Sequence, residues 1–132
     1  MSDITISVSL NEARLTATRD YLDAGTGNAV LQIWDGSRPA NGGATTGCNK
    51  LAEIDLNKPC GAVASNQLAL SFEAETLALT SGVATWARFL SAAGSHAIDS
   101  DVSDLAGTAL VRLNSTTLYE GGKVVVASAY LG

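Results

Sequence analysis

The chain has little of what catalysis and nucleic-acid binding usually require. Its 132 residues include one histidine, two cysteines and two prolines, and only 16% of them are charged. The net charge of −5 argues against a nucleic-acid partner, because such affinity comes mainly from Lys and Arg that neutralise phosphates. No apolar run approaches the roughly 20 residues of a membrane helix, and the first residues lack the basic flank and apolar block of a signal peptide. We therefore expect no nucleic-acid partner, no membrane partner and synthesis without export.

Apolar residues, in contrast, are plentiful. Hydrophobic residues make up 46% of the chain, the opposite of the composition that keeps a chain disordered. A chain of this length fits one domain, residues 1–132, which buries roughly 65–70% of its unfolded surface on folding. A surface with so few charges is often packed against another molecule.

One helix is predicted near the N-terminus, over residues 9–24. Ser9 and Glu12 have the spacing of a capping box, and Gly25 is placed to end the helix. Residues 4–8, in the segment 1–8 before the helix, alternate between apolar and polar side chains. This alternation predicts a short first strand or an arm that adds to a neighbour's sheet.

The apolar residues of this helix predict which side it buries. Seven of them recur at helical spacing, namely Leu10, Ala13, Ala17, Tyr21 and Ala24, with Leu15 and Leu22 at the border of the same face. Glu12, Arg19 and Asp23 are expected on the opposite, solvent-exposed face. There Arg19 and Asp23 are four residues apart and can pair weakly.

Much of the remaining chain alternates with the period of a strand. Ala52, Ile54 and Leu56 share one side of a predicted strand, and Glu53 and Asp55 share the other. Such alternation is typical of half-buried antiparallel strands. Short strands separated by Gly, Ser, Thr, Asn and Asp predict a mainly β fold: an antiparallel, jelly-roll-like β-sandwich with the helix packed on it.

Further strands are expected at residues 29–34, 68–72, 83–90, 110–113 and 123–130. Residues 37–49 are too many and too polar for a tight hairpin, so they are predicted to form a surface loop with a packing role. Trp86 and Phe89 are an odd number of residues apart and should face opposite sides of their strand. Both are expected to help anchor the strand packing near Ile54, Leu70 and Val126, with the alternative that one of them meets the helix or a partner on the other face.

Candidate catalytic and metal-binding residues are few, and a structural explanation is favoured for each. His96 lies between Ser95 and Asp99, but residues this close on a strand point to alternating faces, whereas a catalytic triad is usually gathered from distant segments. Asp99, Asp101 and Asp104 resemble half of a calcium loop, although its glycine and closing glutamate are missing. We expect a histidine in an exposed turn, a solvated acidic turn, no enzymatic activity, no metal and no cofactor.

The two cysteines and two tryptophans also have structural explanations. Cys48 and Cys60 match no zinc-binding spacing, and free thiols are the expected state in a protein made in the cytoplasm. A disulfide formed after cell lysis is the alternative. Trp34 and Trp86 are more often core anchors than platforms for a ligand.

Seven segments, spread along nearly the whole chain, carry a resemblance to known proteins. They are LNEARLTATRDYLDAG (10–25), VLQI (30–33), SRPA (37–40), GVATWARF (82–89), DSDVSD (99–104), LNSTT (113–117) and GGKVV (121–125). Together they resemble small virion proteins encoded beside the major capsid gene of tailed bacteriophages, of the head decoration (capsid cement) type. The segment from Cys48 to Cys60 departs from that pattern.

The resemblance implies a structural virion protein, assembled in the host cytoplasm, that binds the outside of a capsid lattice and stabilises it. Its partners would be the major capsid protein and further copies of itself, since twofold self-association is common. The alternatives are a structural or attachment protein of the phage tail or baseplate and, more remotely, a carbohydrate-binding or hydrolytic domain. The contact residues expected are Ile4 and Ile6 in the arm and Arg38, Pro39 and Asn41 in the loop.

Overall fold

The structure is a computed structural model that describes residues 5–73 and 76–131. Within these ranges, one α-helix precedes eleven strands, and a short 3₁₀ helix, Ala40–Gly42, lies between the first and second strands. The elements are α1 (Val8–Asp23), β1 (Val30–Trp34), β2 (Lys50–Ala64), β3 (Gln67–Phe72), β4 (Thr76–Leu77), β5 (Gly82–Val83), β6 (Trp86–Leu90), β7 (His96–Ser103), β8 (Val111–Leu113), β9 (Thr117–Leu118), β10 (Lys123–Val124) and β11 (Val126–Leu131).

Seven of the strands close into a barrel in the order β1-β2-β3-β11-β8-β7-β6. Neighbouring strands are antiparallel except β7 and β8, which are parallel. A mainly β fold with one N-terminal helix is therefore confirmed, but the expected jelly-roll-like sandwich is instead a closed barrel. The strand pattern cannot separate the two, because a barrel and a sandwich both bury alternate residues of each strand.

The barrel interior contains the main core. Ala52, Ile54 and Leu56 are buried there, whereas Glu53 and Asp55 are exposed, which confirms the predicted alternation of β2. Other fully buried members of the same cluster are Leu22, Ala29, Leu31, Ile33, Leu51, Cys60, Ala87, Phe89 and Val111.

Trp86 and Phe89 lie on opposite faces of β6, as their spacing predicts. Phe89 is in the interior cluster with Ile54. Trp86 is 1% exposed but packs elsewhere, stacked on Trp34 with ring centroids 5.6 Å apart. Its Nε1 donates a hydrogen bond to the Asp35 carbonyl oxygen at 2.9 Å. Both residues are buried, but only Phe89 packs in the cluster of Ile54, Leu70 and Val126, whereas, among the described residues, Trp86 packs on Trp34 and not on the helix.

Helix α1 begins earlier than predicted. Its N-cap is Ser7 rather than Ser9, and the Ser7 Oγ accepts a hydrogen bond from the backbone N–H of Leu10 at 3.0 Å. Glu12 does not complete a capping box, because its carboxylate accepts from the backbone N–H of Asn66 at 3.0 Å. Val8 is therefore helical, and the strand expected over residues 1–8 does not include it.

The buried side of α1 is the reverse of the predicted one. Of the predicted apolar face, only Leu15 and Leu22 are buried. The five exposed members are Leu10, Ala13, Ala17, Tyr21 and Ala24. Arg19 lies 3.5 Å from Asp20 and does not form the expected pair with Asp23, whose carboxylate faces β2.

An irregularity in β2 explains this orientation. The pairing of β2 with β3 shifts between Leu56 and Gly61, and Cys60 falls within the shift. Its backbone N–H donates to Asp23 Oδ1 at 3.0 Å and its thiol to the Arg19 carbonyl oxygen at 3.8 Å. A buried amide left out of a strand ladder needs an acceptor, so α1 turns its polar side toward the barrel.

Two short ladders, β4–β10 and β5–β9, form a ribbon over residues 76–83 and 117–124 that we call the end ribbon. One side of it joins the core through Ala78, Leu118 and Val124. The Leu79 N–H donates to the Leu51 carbonyl oxygen at 2.7 Å, which places the ribbon where β2 begins. Two predicted strands, 83–90 and 123–130, are consequently divided between the ribbon and the barrel.

The cysteines differ in accessibility and acidity. Both are free, as predicted; Cys48 is half-buried and Cys60 is buried. Burial, followed by the nearby Asp23 carboxylate, raises the pKa of the Cys60 thiol to about 12. Because the thiolate is the reactive form, a thiol reagent at pH 8 should label Cys48 in the native protein and Cys60 only after unfolding. Mass spectrometry checks this, with Cys48→Ser as the matched control; equal native labelling of both would contradict it.

The two aromatic anchors should each contribute strongly to stability. Phe89→Ala empties part of the barrel core and Trp86→Ala removes the stacked ring outside it, so each should lower the free energy of unfolding by about 3–5 kcal/mol. Leu105→Ala is the control, because Leu105 is 60% exposed and should change little. Urea unfolding measures all three. A Trp86→Ala protein as stable as the wild type would show that the outer cluster does not contribute.

Candidate functional site

The loop of residues 37–49 lies against the outer face of β6 and β7. The Arg88 Nη2 donates to the Gly43 carbonyl oxygen at 2.8 Å, and Arg38 lies 3.2 Å from the Asp101 carboxylate. At the start of the loop, Thr85 Oγ1 donates to the Gly36 carbonyl oxygen at 2.7 Å. The predicted surface loop is present, and these contacts fix it over the outer cluster of Trp34 and Trp86.

Arg88 and Asp99 form the central ion pair of this face. Their side chains are only 11% and 9% exposed, and Arg88 Nε lies 2.8 Å from Asp99 Oδ1. A second hydrogen bond, from Nη2 to Oδ2, measures 3.1 Å. The Arg88 guanidinium carbon also lies 5.3 Å from the centre of the Trp86 ring, within the range of a cation–π contact.

The ion pair keeps both groups charged. Burial alone would raise the pKa of the Asp99 carboxyl, but hydrogen bonds and charge from Arg88, and then from His96, outweigh burial and hold that pKa below its usual range. The hydrogen bond with Asp99 raises the pKa of the Arg88 guanidinium, against the effect of burial.

His96 joins this pair, contrary to the expectation that residues so close on a strand face opposite ways. Its Nε2 lies 3.1 Å from Asp99 Oδ1. The pairing of β6 with β7 shifts between Phe89 and Leu90, and an irregularity of this kind re-aims side chains along a strand. The ring packs on Gly42, where a Cβ would lie 2.7 Å from the imidazole Cε1. His96 thus links β7 to the loop.

The three aspartates with calcium-like spacing do not converge. Asp99 binds Arg88, Asp101 pairs with Arg38, and Asp104 Oδ1 accepts from the N–H groups of the turn that follows it. Across residues 5–73 and 76–131, no group of three potential ligands is placed to hold a metal ion. Ser95, which precedes His96 in the sequence, uses its backbone N–H in a hydrogen bond to Ser91 Oγ at 3.2 Å.

Three of the five expected contact residues meet in one place. They border a depression of about 420 Å³, whose lining includes Arg38, Pro39, Asn41, Gly42, His96 and Asp99. Ile6 is half-buried just before α1, and Ile4 lies outside the described residues. The spacing of the sequence could not bring His96 and Asp99 to the loop, because this depends on how the loop folds across β7.

The end ribbon presents a second surface, which the sequence reasoning missed. Leu77, Leu79, Val83 and Tyr119 are 55%, 52%, 54% and 70% exposed, respectively. They lie opposite the side that joins the core. A signal was present in residues 77–79, where three apolar residues in succession leave both faces of an extended segment apolar.

A groove of about 640 Å³ lies between α1 and the start of β7. Leu15, Leu22 and Ile98 contribute apolar surface to it, and the Tyr21 hydroxyl donates to the His96 carbonyl oxygen across one side at 3.3 Å. We call it the α1–β7 groove. The sequence could not predict this groove, because its periodicity indicated that α1 buries the opposite face.

No protein-family model matches the chain, and comparisons with curated proteins and with solved structures give no match either. In the part of the chain that the structure describes, no helix is long and apolar enough to cross a bilayer. The features of the described residues that bear on function are the loop depression, the end ribbon and the α1–β7 groove.

The ion pair should make the stability of the protein depend on pH. Asp99→Asn leaves a largely buried Arg88 without its counter-charge, which costs about 3 kcal/mol at pH 7. The pKa of the Asp99 carboxyl is lowered by folding, so its contribution is complete above the unfolded value near 3.9 and is lost as pH falls below it. Urea unfolding should thus show a difference in the free energy of unfolding between wild type and Asp99→Asn that narrows below about pH 4.

The matched control is Asp101→Asn. The Asp101 carboxylate is 71% exposed in its pair with Arg38, and an exposed pair contributes only about 0–1 kcal/mol. If the free energy of unfolding of Asp99→Asn differed from that of the wild type by the same amount across the acidic range, the charge of Asp99 would not contribute to stability.

Proposed function

We propose that this protein is a structural component of a bacteriophage virion that binds the outside of the capsid lattice and stabilises it. The observation that carries the proposal is the end ribbon, on which four large apolar side chains are more than half exposed. Apolar side chains clustered on an otherwise polar surface often mark a site of protein–protein contact. The resemblance of the seven sequence segments to head decoration proteins supplies the kind of partner, the major capsid protein.

The charge of the chain supports the same partner class. A protein that coats a genome-filled shell must avoid sticking to nucleic acid, and a net charge of −5 disfavours such binding. Interfaces combine an apolar centre with a polar rim. The end ribbon can supply the centre, and the neutral Ser, Thr and Asn groups of the chain can supply the rim.

The loop depression is a second contact surface, and the loop that lines it starts beside the first. Thr85, in the β5–β6 connection, binds Gly36 at the start of the loop, and Gly82 of the ribbon packs near Leu51 and Asp35. The loop that carries Arg38, Pro39 and Asn41 therefore starts at the same end of the barrel as the ribbon and runs across β7 to His96. A lattice that presents two neighbouring subunits would match such a divided surface better than one free subunit.

A tail or baseplate location is the main alternative, since the same surfaces could bind tail subunits. The carbohydrate-binding alternative has less support. Trp86 is buried and stacks on Trp34, so it offers no open ring face of the kind on which sugars bind.

Co-sedimentation tests the proposal. The purified chain should pellet with expanded, DNA-free heads of the phage whose genome carries the gene, and should not associate with unassembled capsid subunits or with isolated tails. Tyr119→Ser and Leu77→Ser should weaken head binding at least tenfold, because each removes apolar area from the end ribbon. Their melting temperatures should change little, since both side chains are exposed.

Leu105→Ser is the matched control, because it removes an equally exposed leucine that is not part of the ribbon. Pelleting with tails alone would replace the head proposal with the tail alternative. Head binding that no ribbon variant weakens would place the contact on another surface.

A further inference from the structure

We propose that the α1–β7 groove binds the N-terminal arm, residues 2–7, of a second copy of this chain, so that two copies exchange arms. The proposal concerns self-association and does not depend on the virion function. It rests on the open edge of β7, on the chemistry and length of the groove, and on the path of the chain before α1.

The barrel wall is incompletely paired beside the groove. Residues 96–101 of β7 pair with β6 along one edge, but β7 pairs with β8 only at Val102 and Ser103. Within the described ranges, the other edge of residues 96–101 therefore has no partner strand. An unpaired edge of this kind accepts an added strand through backbone hydrogen bonds.

The arm has the chemistry that the groove requires. Ile4 and Ile6 alternate with polar residues, so a strand formed by the arm would present both isoleucines on one side. The groove offers Leu15, Ile98 and Leu131 to that side. Arg14 also lines the groove, forms no ion pair with another described residue, and has the charge to bind the carboxylate of Asp3.

The lengths also agree. The helical wall from Asn11 to Leu22 is roughly 16 Å long at about 1.5 Å per residue. Six residues in a strand span roughly 20 Å, so residues 2–7 are long enough to follow the whole groove.

The path of the chain into α1 favours the arm of a second copy. Ser7 caps α1 in an extended conformation, with φ −69° and ψ 157°, and residues 5–7 form no turn. The chain therefore does not reverse within residues 5–7 to run back along the groove beside its own helix. A second copy can supply a complete arm, and a twofold axis makes the exchange reciprocal.

A two-chain cross-linking experiment tests the exchange directly. In a Cys48→Ser, Cys60→Ala background, one copy carries Ile4→Cys and a differently tagged copy carries Ala97→Cys, a groove residue. Co-expression followed by mild oxidation should give a disulfide-linked heterodimer. Leu105→Cys in place of Ala97→Cys is the control and should give none. Absence of the heterodimer would overturn the proposal. So would a single chain carrying both Ile4→Cys and Ala97→Cys whose disulfide forms only within that chain.

Light scattering on the full-length protein gives an independent readout. The wild type should be a dimer, and deletion of residues 2–4, which keeps the Ser7 cap, should give a folded monomer by circular dichroism. Arg14→Glu should weaken dimerisation about tenfold, and Asp3→Arg combined with Arg14→Glu should restore it, as expected for a charge pair across an interface. A wild type that remains monomeric, or a charge swap that fails to restore the dimer, would count against the arm.

Discussion

The ion pair between Arg88 and Asp99 is the contact on which the outer face of this barrel depends. Removing two charges this far from water is costly, and the cost is offset because the guanidinium binds both carboxylate oxygens, the Gly43 carbonyl oxygen and the face of Trp86. These contacts join two strands, a tryptophan and the loop through one side chain. A loop rich in glycine and threonine, which would otherwise lose much entropy on ordering, thereby becomes a defined surface.

Hydrogen bonds made by charged side chains also determine how the helix is oriented. Its position is set by two carboxylates that satisfy backbone amides of the β2–β3 hairpin, Glu12 at Asn66 and Asp23 at Cys60. Leaving the buried Cys60 amide unsatisfied would be costly, and the Glu12 bond adds a second contact at the exposed Asn66. Together these two bonds outweigh the burial of a few alanines. The helix therefore keeps Leu10 and Tyr21 at the surface, and the groove beside β7 is a consequence of that orientation.

The sequence predicted the parts of the structure that depend on local periodicity. The helix, the alternation of β2 and the opposite faces of Trp86 and Phe89 follow from spacing alone. It could not predict features that depend on pairing between distant strands. The shift of β2 against β3 reverses the helix, the shift of β6 against β7 brings His96 to Asp99, and strand pairing around the whole ring decides between a barrel and a sandwich. The candidate contact residues in the loop were chosen from composition, but their neighbours could be found only from the fold.

The positions of the three surfaces bear on how the two proposals fit together. The end ribbon lies where β2 begins and near the start of β6, whereas the α1–β7 groove lies beside His96, which pairs with Leu90 at the far end of β6. Two copies that exchange arms through the groove would thus leave both ribbons uncovered. A dimer would then present two lattice-binding surfaces on one particle, and linked sites bind far more tightly than either site alone when their spacing matches the target. Weak individual contacts, each made by a few apolar side chains, would then be sufficient for stable attachment to a symmetric shell.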